Sequence, residues 1–207
     1  MKTKDILNNL IIRYPALSVC ESDINAAYFA LENCFLSDNR LYVCGNGGSA
    51  ADALHIVGEL AKSFMLSRAL DIDFVEKTDD AELITNLQGA LPAFALVGNS
   101  ALATAYINDC NPEYVFAQQV YAYAREGDCF LGISTSGDSK NVIHAINTAK
   151  GRGVVTLGLT GAGGGKMSKL CDVCMCVPET ETHRIQELHL PVYHTLCMML
   201  EQRFFGE

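Results

Sequence analysis

Short apolar runs alternate with helical patterns along this chain, and twice the junction between them is a polar loop containing glycine. Arg40 to Cys44 reads as a strand, followed by the turn Gly45-Asn46-Gly47-Gly48 and a helical run from Ser49 to about Phe64. A second unit repeats the plan, with a strand over Cys129 to Ser134, a polar loop over Thr135 to Ser139 and a helix over Asn141 to Lys150. Val154 to Thr160 and Asp172 to Val177 are further strands, and Ala93 to Val97 is a fifth. Strands alternating with helices predict a mainly parallel sheet covered on both faces, with ligands held outside the carboxyl ends of the strands. Both polar loops lie at such ends.

The remaining segments frame this core. Ile24, Ala27, Tyr28, Leu31, Cys34 and Phe35 recur at helical spacing over residues 22–36. Asp71 to Lys77 fits a small strand, and Asp80 to Gln88 a capped helix. Thr182 to Phe205 is helical in pattern, and Pro191 within it removes a backbone donor and is expected to kink it. A length of 207 residues suits one domain over 1–207, and no apolar run is long enough for a membrane span. The opening MKTKDILNNLIIRYP does not read as a secretory signal, so the nine cysteines are expected to be reduced thiols and the protein cytoplasmic. A net charge of −9, without clustered Lys and Arg, argues against nucleic-acid binding. A small anion remains possible, because backbone N–H groups and hydroxyls at a helix start need no net positive charge to hold one.

Ser134, Thr135, Ser136 and Ser139 place four hydroxyls within six residues between an apolar strand and a helix, with Gly137 among them. All four can point at one phosphate, and the helix dipole adds attraction. An ordinary capped turn has the same composition. The Gly45 to Ser49 turn is a second candidate cradle, with spacing unlike a dinucleotide fingerprint and no Walker Lys-Ser/Thr pair after it. His55 and Glu59, four apart on the following helix, project from one face and can chelate a divalent metal, most simply zinc, or form a solvated helix face. Gln186, Glu187, His189 and His194 are the partners on offer from the last helix. On a straight helix Gln186 and His194 stand roughly 12 Å apart, so sharing one ion requires the kink, a later helix start or a second subunit. Cys174 and Cys176 fall on one strand face and read as core.

Taken together, Cys44-Gly45-Asn46-Gly47-Gly48-Ser49 with Asp52, His55 and Glu59, then Gly132-Ile133-Ser134-Thr135-Ser136-Gly137-Asp138-Ser139-Lys140-Asn141, then Leu159-Thr160-Gly161, and finally Arg184-Ile185-Gln186-Glu187 with His194, resemble phosphoheptose isomerases of the sugar isomerase (SIS) superfamily. The resemblance implies a three-layer α/β/α sandwich on a five-stranded sheet, with N-terminal (1–36) and C-terminal helices packing a homotetramer whose sites lie between subunits. It implies isomerisation of sedoheptulose 7-phosphate, with one zinc ion per subunit held by His55, Glu59, Gln186 and His194. Substrate contacts would come from Asn46, Gly47, Gly48, Ser49, Glu59, Asn108, Asp109, Ser134, Thr135, Ser136, Ser139 and Gln186, with Glu59 as base and His194 as acid or proton carrier. Residues 66–92 make the chain longer than the family pattern, and Lys62 is the basic residue after the Glu59 helix. The alternatives are a non-catalytic SIS tetramer similar to proteins that associate with the replication initiator, a sugar-phosphate sensor, and an isomerase for another phosphosugar.

Overall fold

A computed structural model describes residues 2–206. Helix α1 (Thr3–Arg13) leads through a 3-10 turn into α2 (Glu21–Leu36), then β1 (Leu41–Cys44) and α3 (Gly48–Ala61). Two short helices follow, α4 (Ile72–Lys77) and α5 (Ala81–Asn86), then β2 (Ala93–Ala95), α6 (Ser100–Asp109) and α7 (Val115–Tyr123). The chain continues with β3 (Cys129–Ile133), α8 (Lys140–Gly151), β4 (Val155–Thr160), α9 (Met167–Leu170), β5 (Val173–Cys176) and α10 (Thr182–Phe205). Five strands form one sheet in the order β2-β1-β3-β4-β5, and every pairing is parallel.

Strand alternation divides the interior into two cores. Leu41, Val43, Leu131, Ile133, Leu157 and Leu159 face one side, against α1, α2, α3 and α10. Tyr42, Cys44 and Phe130 face the other, against α7, α8 and Met167 of α9. Burial on both faces is why these strands read as continuous apolar runs rather than alternating ones. The order 2-1-3-4-5 reverses direction between β1 and β3, and such a switch point leaves a crevice between the two loops that follow.

Helices α3 and α10 lie in the same layer. Ala53, Ile56 and Leu60 of the first pack into the same core as Val192, Tyr193, Leu196 and Cys197 of the second. Their flanks therefore face one another, and those flanks carry His55, Glu59 and His194. Pro191 does not interrupt α10. Its missing donor costs about 3 kcal/mol, offset by burial on both sides, from Ile185 and His189 to Val192 and Tyr193. His189 is sealed inside, and burial pushes its pKa down to about 4, so it is a neutral core residue rather than a ligand.

The 71–77 segment differs from the strand expected there. It is helix α4, with Asp71 as N-cap accepting the Phe74 N–H at 2.7 Å. Asp80 caps α5 by accepting from Glu82 and Leu83, as expected of the capped helix. Neither short helix buries a residue. Among the described residues, no helix is long and apolar enough to cross a membrane.

Candidate active site

The loops after β1 and β3 meet at the switch point. A cavity of about 330 Å³ opens there, lined by Asn46, Gly47, Gly48, Ser49, Ser134, Thr135, Ser139 and Gln186, together with Ile133 and Thr182. The Ser134 hydroxyl lies 2.9 Å from that of Ser139 and 3.4 Å from that of Ser136. Hydroxyls so close together present several donors to one acceptor, which suits a phosphate. Ser139 stands at the N-cap of α8 without capping it through its side chain, so that hydroxyl is available to a ligand beside the first turn, in which the Val142 N–H is already taken by Asn141 Oδ1 at 3.0 Å. Ser136 does not line the cavity, and its hydroxyl accepts the Asp138 N–H at 3.1 Å. The two loops are tied by a reciprocal amide pair between Asn46 and Asn141, at 2.9 and 2.8 Å.

Two glycines set the close approaches. At Gly48 a Cβ would stand 2.4 Å from the Gln186 amide nitrogen, so this side chain rests directly on the β1 loop. Gly137 has φ +69°, and a Cβ there would meet the Gly164 carbonyl at 2.3 Å. Only glycine allows both that dihedral and that contact.

Farther along α3 a second cluster faces α10. His55 Nε2 is 3.2 Å from Glu59 Oε1 and 3.4 Å from His194 Nε2. Lys62 Nζ approaches the other Glu59 oxygen at 3.4 Å. Tyr193 is the residue that sequence reasoning missed: its hydroxyl is 3.0 Å from His55 Nδ1 and donates to Asp52 Oδ1 at 3.3 Å. With that proton directed to Asp52, the phenol oxygen accepts from Nδ1–H, which leaves the His55 Nε2 lone pair facing Glu59 and His194. Burial, with the neighbouring His55 adding and Glu59 opposing, holds the His194 pKa below the ordinary imidazole value. Burial also raises the Asp52 pKa, against the Tyr193 hydrogen bond.

This geometry fits one ion in part. Bonds of about 2.0–2.2 Å around tetrahedral zinc give ligand–ligand edges of roughly 3.3–3.6 Å, against the 3.2 and 3.4 Å found here. A hydrogen bond on the remote nitrogen is also the usual companion of a ligating imidazole. The Glu59–His194 edge is open, and among the described residues no three His, Cys, Asp or Glu side chains close on one point. Gln186 lies in the phosphate cavity, eight residues before His194. Asn108 and Asp109 are exposed at the end of α6, where the Asn108 amide donates to Asp109 at 2.8 Å, and neither lines that cavity.

Removing the Tyr193 hydroxyl tests the His55 arrangement. Tyr193→Phe is expected to lower turnover or metal affinity about 10–100-fold. Kinetics and metal titration on the same sample measure this.

Residues 16–161 match the SIS domain family. A phosphoheptose isomerase of Rhodospirillum rubrum is 39% identical over 185 residues, covering 89% of this chain and 88% of that protein. The chain belongs to the phosphoheptose isomerase branch of the SIS family. Its relative in Aneurinibacillus thermoaerophilus, also a phosphoheptose isomerase, is 41% identical over 171 residues, 83% of this chain and 76% of that one. The solved phosphoheptose isomerase of Neisseria gonorrhoeae superposes with a TM-score of 0.76 at 33% identity, covering 92% and 91% of the two chains. That of Francisella tularensis gives 0.78 at 28% identity, covering 98% and 100%. Family membership makes the chain an isomerase of phosphosugars.

Proposed function

We propose that this chain converts sedoheptulose 7-phosphate to D-glycero-D-manno-heptose 7-phosphate, a step toward heptose precursors, by moving protons between C1 and C2 through an enediol. The observation that supports this reading is that His55, on the helix that begins at the phosphate cavity, stands within 3.2 Å of Glu59 on the same helix and 3.4 Å of His194 on α10. Ser134, Thr135 and Ser139, with the N–H groups that open α3 and α8, hold the phosphate. Glu59 takes a proton from C1 and returns it to C2, while His194 carries one from O1 to O2, so atoms and charge balance.

Zinc would be held by His55, Glu59 and His194; Gln186, the fourth ligand of the implied set, lies in the phosphate cavity and would have to turn out of it to reach the ion. Bound there, it supplies Lewis acidity at the carbonyl and hydroxyl oxygens of the substrate. The same reading takes the protein as a homotetramer with sites between subunits, which gives the exposed Asn108 and Asp109 a route to the sugar of a neighbouring subunit.

The test is an isomerisation assay on sedoheptulose 7-phosphate with zinc quantified in the same preparation. Turnover is expected to vanish on chelation and to return with added zinc. Zinc-replete protein that binds the phosphosugar without interconverting ketose and aldose would overturn the proposal.

A further inference from the structure

The ion pair between Arg68 and Glu201 lies outside the site described above and is costly enough to require a reason. Its side chains are 0% and 1% exposed, with Nε and Oε1 2.8 Å apart. Desolvation consumes most of the attraction within a buried pair, and apolar residues of similar volume often replace one without loss of stability. This pair also holds other groups. Arg68 donates from Nη2 to the Glu59 carbonyl and from Nη1 to the Leu60 carbonyl, both at 2.7 Å. Those carbonyls belong to the last turn of α3, which has no helical donors of its own.

Glu201 holds the next stretch of chain. Its carboxylate accepts the N–H of Phe64 at 2.8 Å, of Met65 at 2.7 Å and of Leu66 at 3.1 Å. Fixed in this way, Phe64 sets its ring against His194, with centroids 5.3 Å apart. Glu201 follows His194 by seven residues, two turns or roughly 10 Å along α10. One buried pair thus joins the Glu59 backbone, the turn at 64–66 and the helix that carries His194.

We propose that Arg68 and Glu201 are positioning residues, which fix α3 against α10 and thereby set the distance between Glu59 and His194. The inference rests on the reading that these two residues move the protons. Neither Arg68 nor Glu201 lines the hydroxyl-lined cavity.

The double variant Arg68→Met/Glu201→Leu removes both charges at similar volume and avoids the lone buried charge that either single change would leave. Circular dichroism and thermal unfolding establish its fold. A misplacement of about 1 Å can cost about 10²-fold in rate, so kcat is expected to fall about 10–100-fold with KM within about twofold. Arg68→Lys keeps the charge but not the two-carbonyl fork, and is expected to recover only part of kcat. A readout independent of turnover is the imidazole NMR spectrum, in which the His55 and His194 signals shift while those of His144 and His183 stay. Unmoved His55 and His194 signals in a folded variant, or a kcat within about twofold of wild type, overturn the proposal. If the double variant does not fold, Arg68→Lys carries the same two readouts. A wild-type protein that fails to turn over sedoheptulose 7-phosphate sinks the proposed reaction alone, and the imidazole signals still decide the clamp.

Discussion

Glu59→Gln is expected to lower kcat on sedoheptulose 7-phosphate by about 10²–10⁴-fold, the usual worth of a positioned general base. The substitution preserves shape but removes both the proton acceptor and the carboxylate ligand, so zinc is quantified in the same sample to separate the two effects. Glu59 faces His55 at 3.2 Å and Lys62 at 3.4 Å, contacts near the surface with a partly exposed imidazole and an exposed ammonium. The Lys62 contact, to an exposed ammonium, contributes at most about 1 kcal/mol, and the uncharged amide places no new charge against His55, so the variant should unfold at nearly the wild-type temperature. Solvent-deuterium exchange into the carbon-bound position separates proton abstraction from binding and should disappear with turnover. Wild-type exchange in a folded Glu59→Gln protein would remove this carboxylate from the proton path.

Gly137→Val acts at the other end of the substrate. A branched residue at φ +69° suffers the left-handed penalty of about 1–2 kcal/mol, and its Cβ would meet the Gly164 carbonyl where no room exists. The loop must shift, and Ser134 and Ser139 shift with it. One lost hydrogen bond to a charged group, at about 1.5–3 kcal/mol, weakens binding about 10–100-fold. Calorimetric titration with the phosphosugar reads that loss directly. Undiminished affinity in the folded variant would show that the phosphate is gripped elsewhere.

The strands were legible because each is an apolar run closed by glycine or polar residues. Leu41–Cys44, Cys129–Ile133, Val155–Thr160 and Val173–Cys176 fall within a residue or two of the boundaries read from sequence. Helix α4 was misread because it has no buried face and hence no periodic signal; its Asp71 cap is the one local cue. Half of the cluster was equally local, since His55 and Glu59 are one turn apart on a single helix. His194 lies 139 residues away from His55, and only the side-by-side packing of α3 and α10 brings them together. The resemblance to known isomerases supplied that pairing, which spacing alone could not. Tyr193, Arg68 and Glu201 bore no such mark. A tyrosine beside a histidine, or an arginine after a helix, acquires its meaning from partners more than a hundred residues distant.

Helix α3 opens at the cavity with Gly48 and reaches His55 seven residues and Glu59 eleven residues later, roughly 10 and 16 Å along its axis. A helix neither stretches nor folds under the pull of a ligand, so the separation between anchor and reaction centre is built into the backbone. On the proposed reading, the protein therefore measures its substrates. A five-carbon sugar phosphate, tethered by the same oxygens, would place its carbonyl roughly two carbon–carbon steps, at about 1.5 Å per bond, short of where the seven-carbon substrate places it, and discrimination by chain length would follow without any side chain devoted to it.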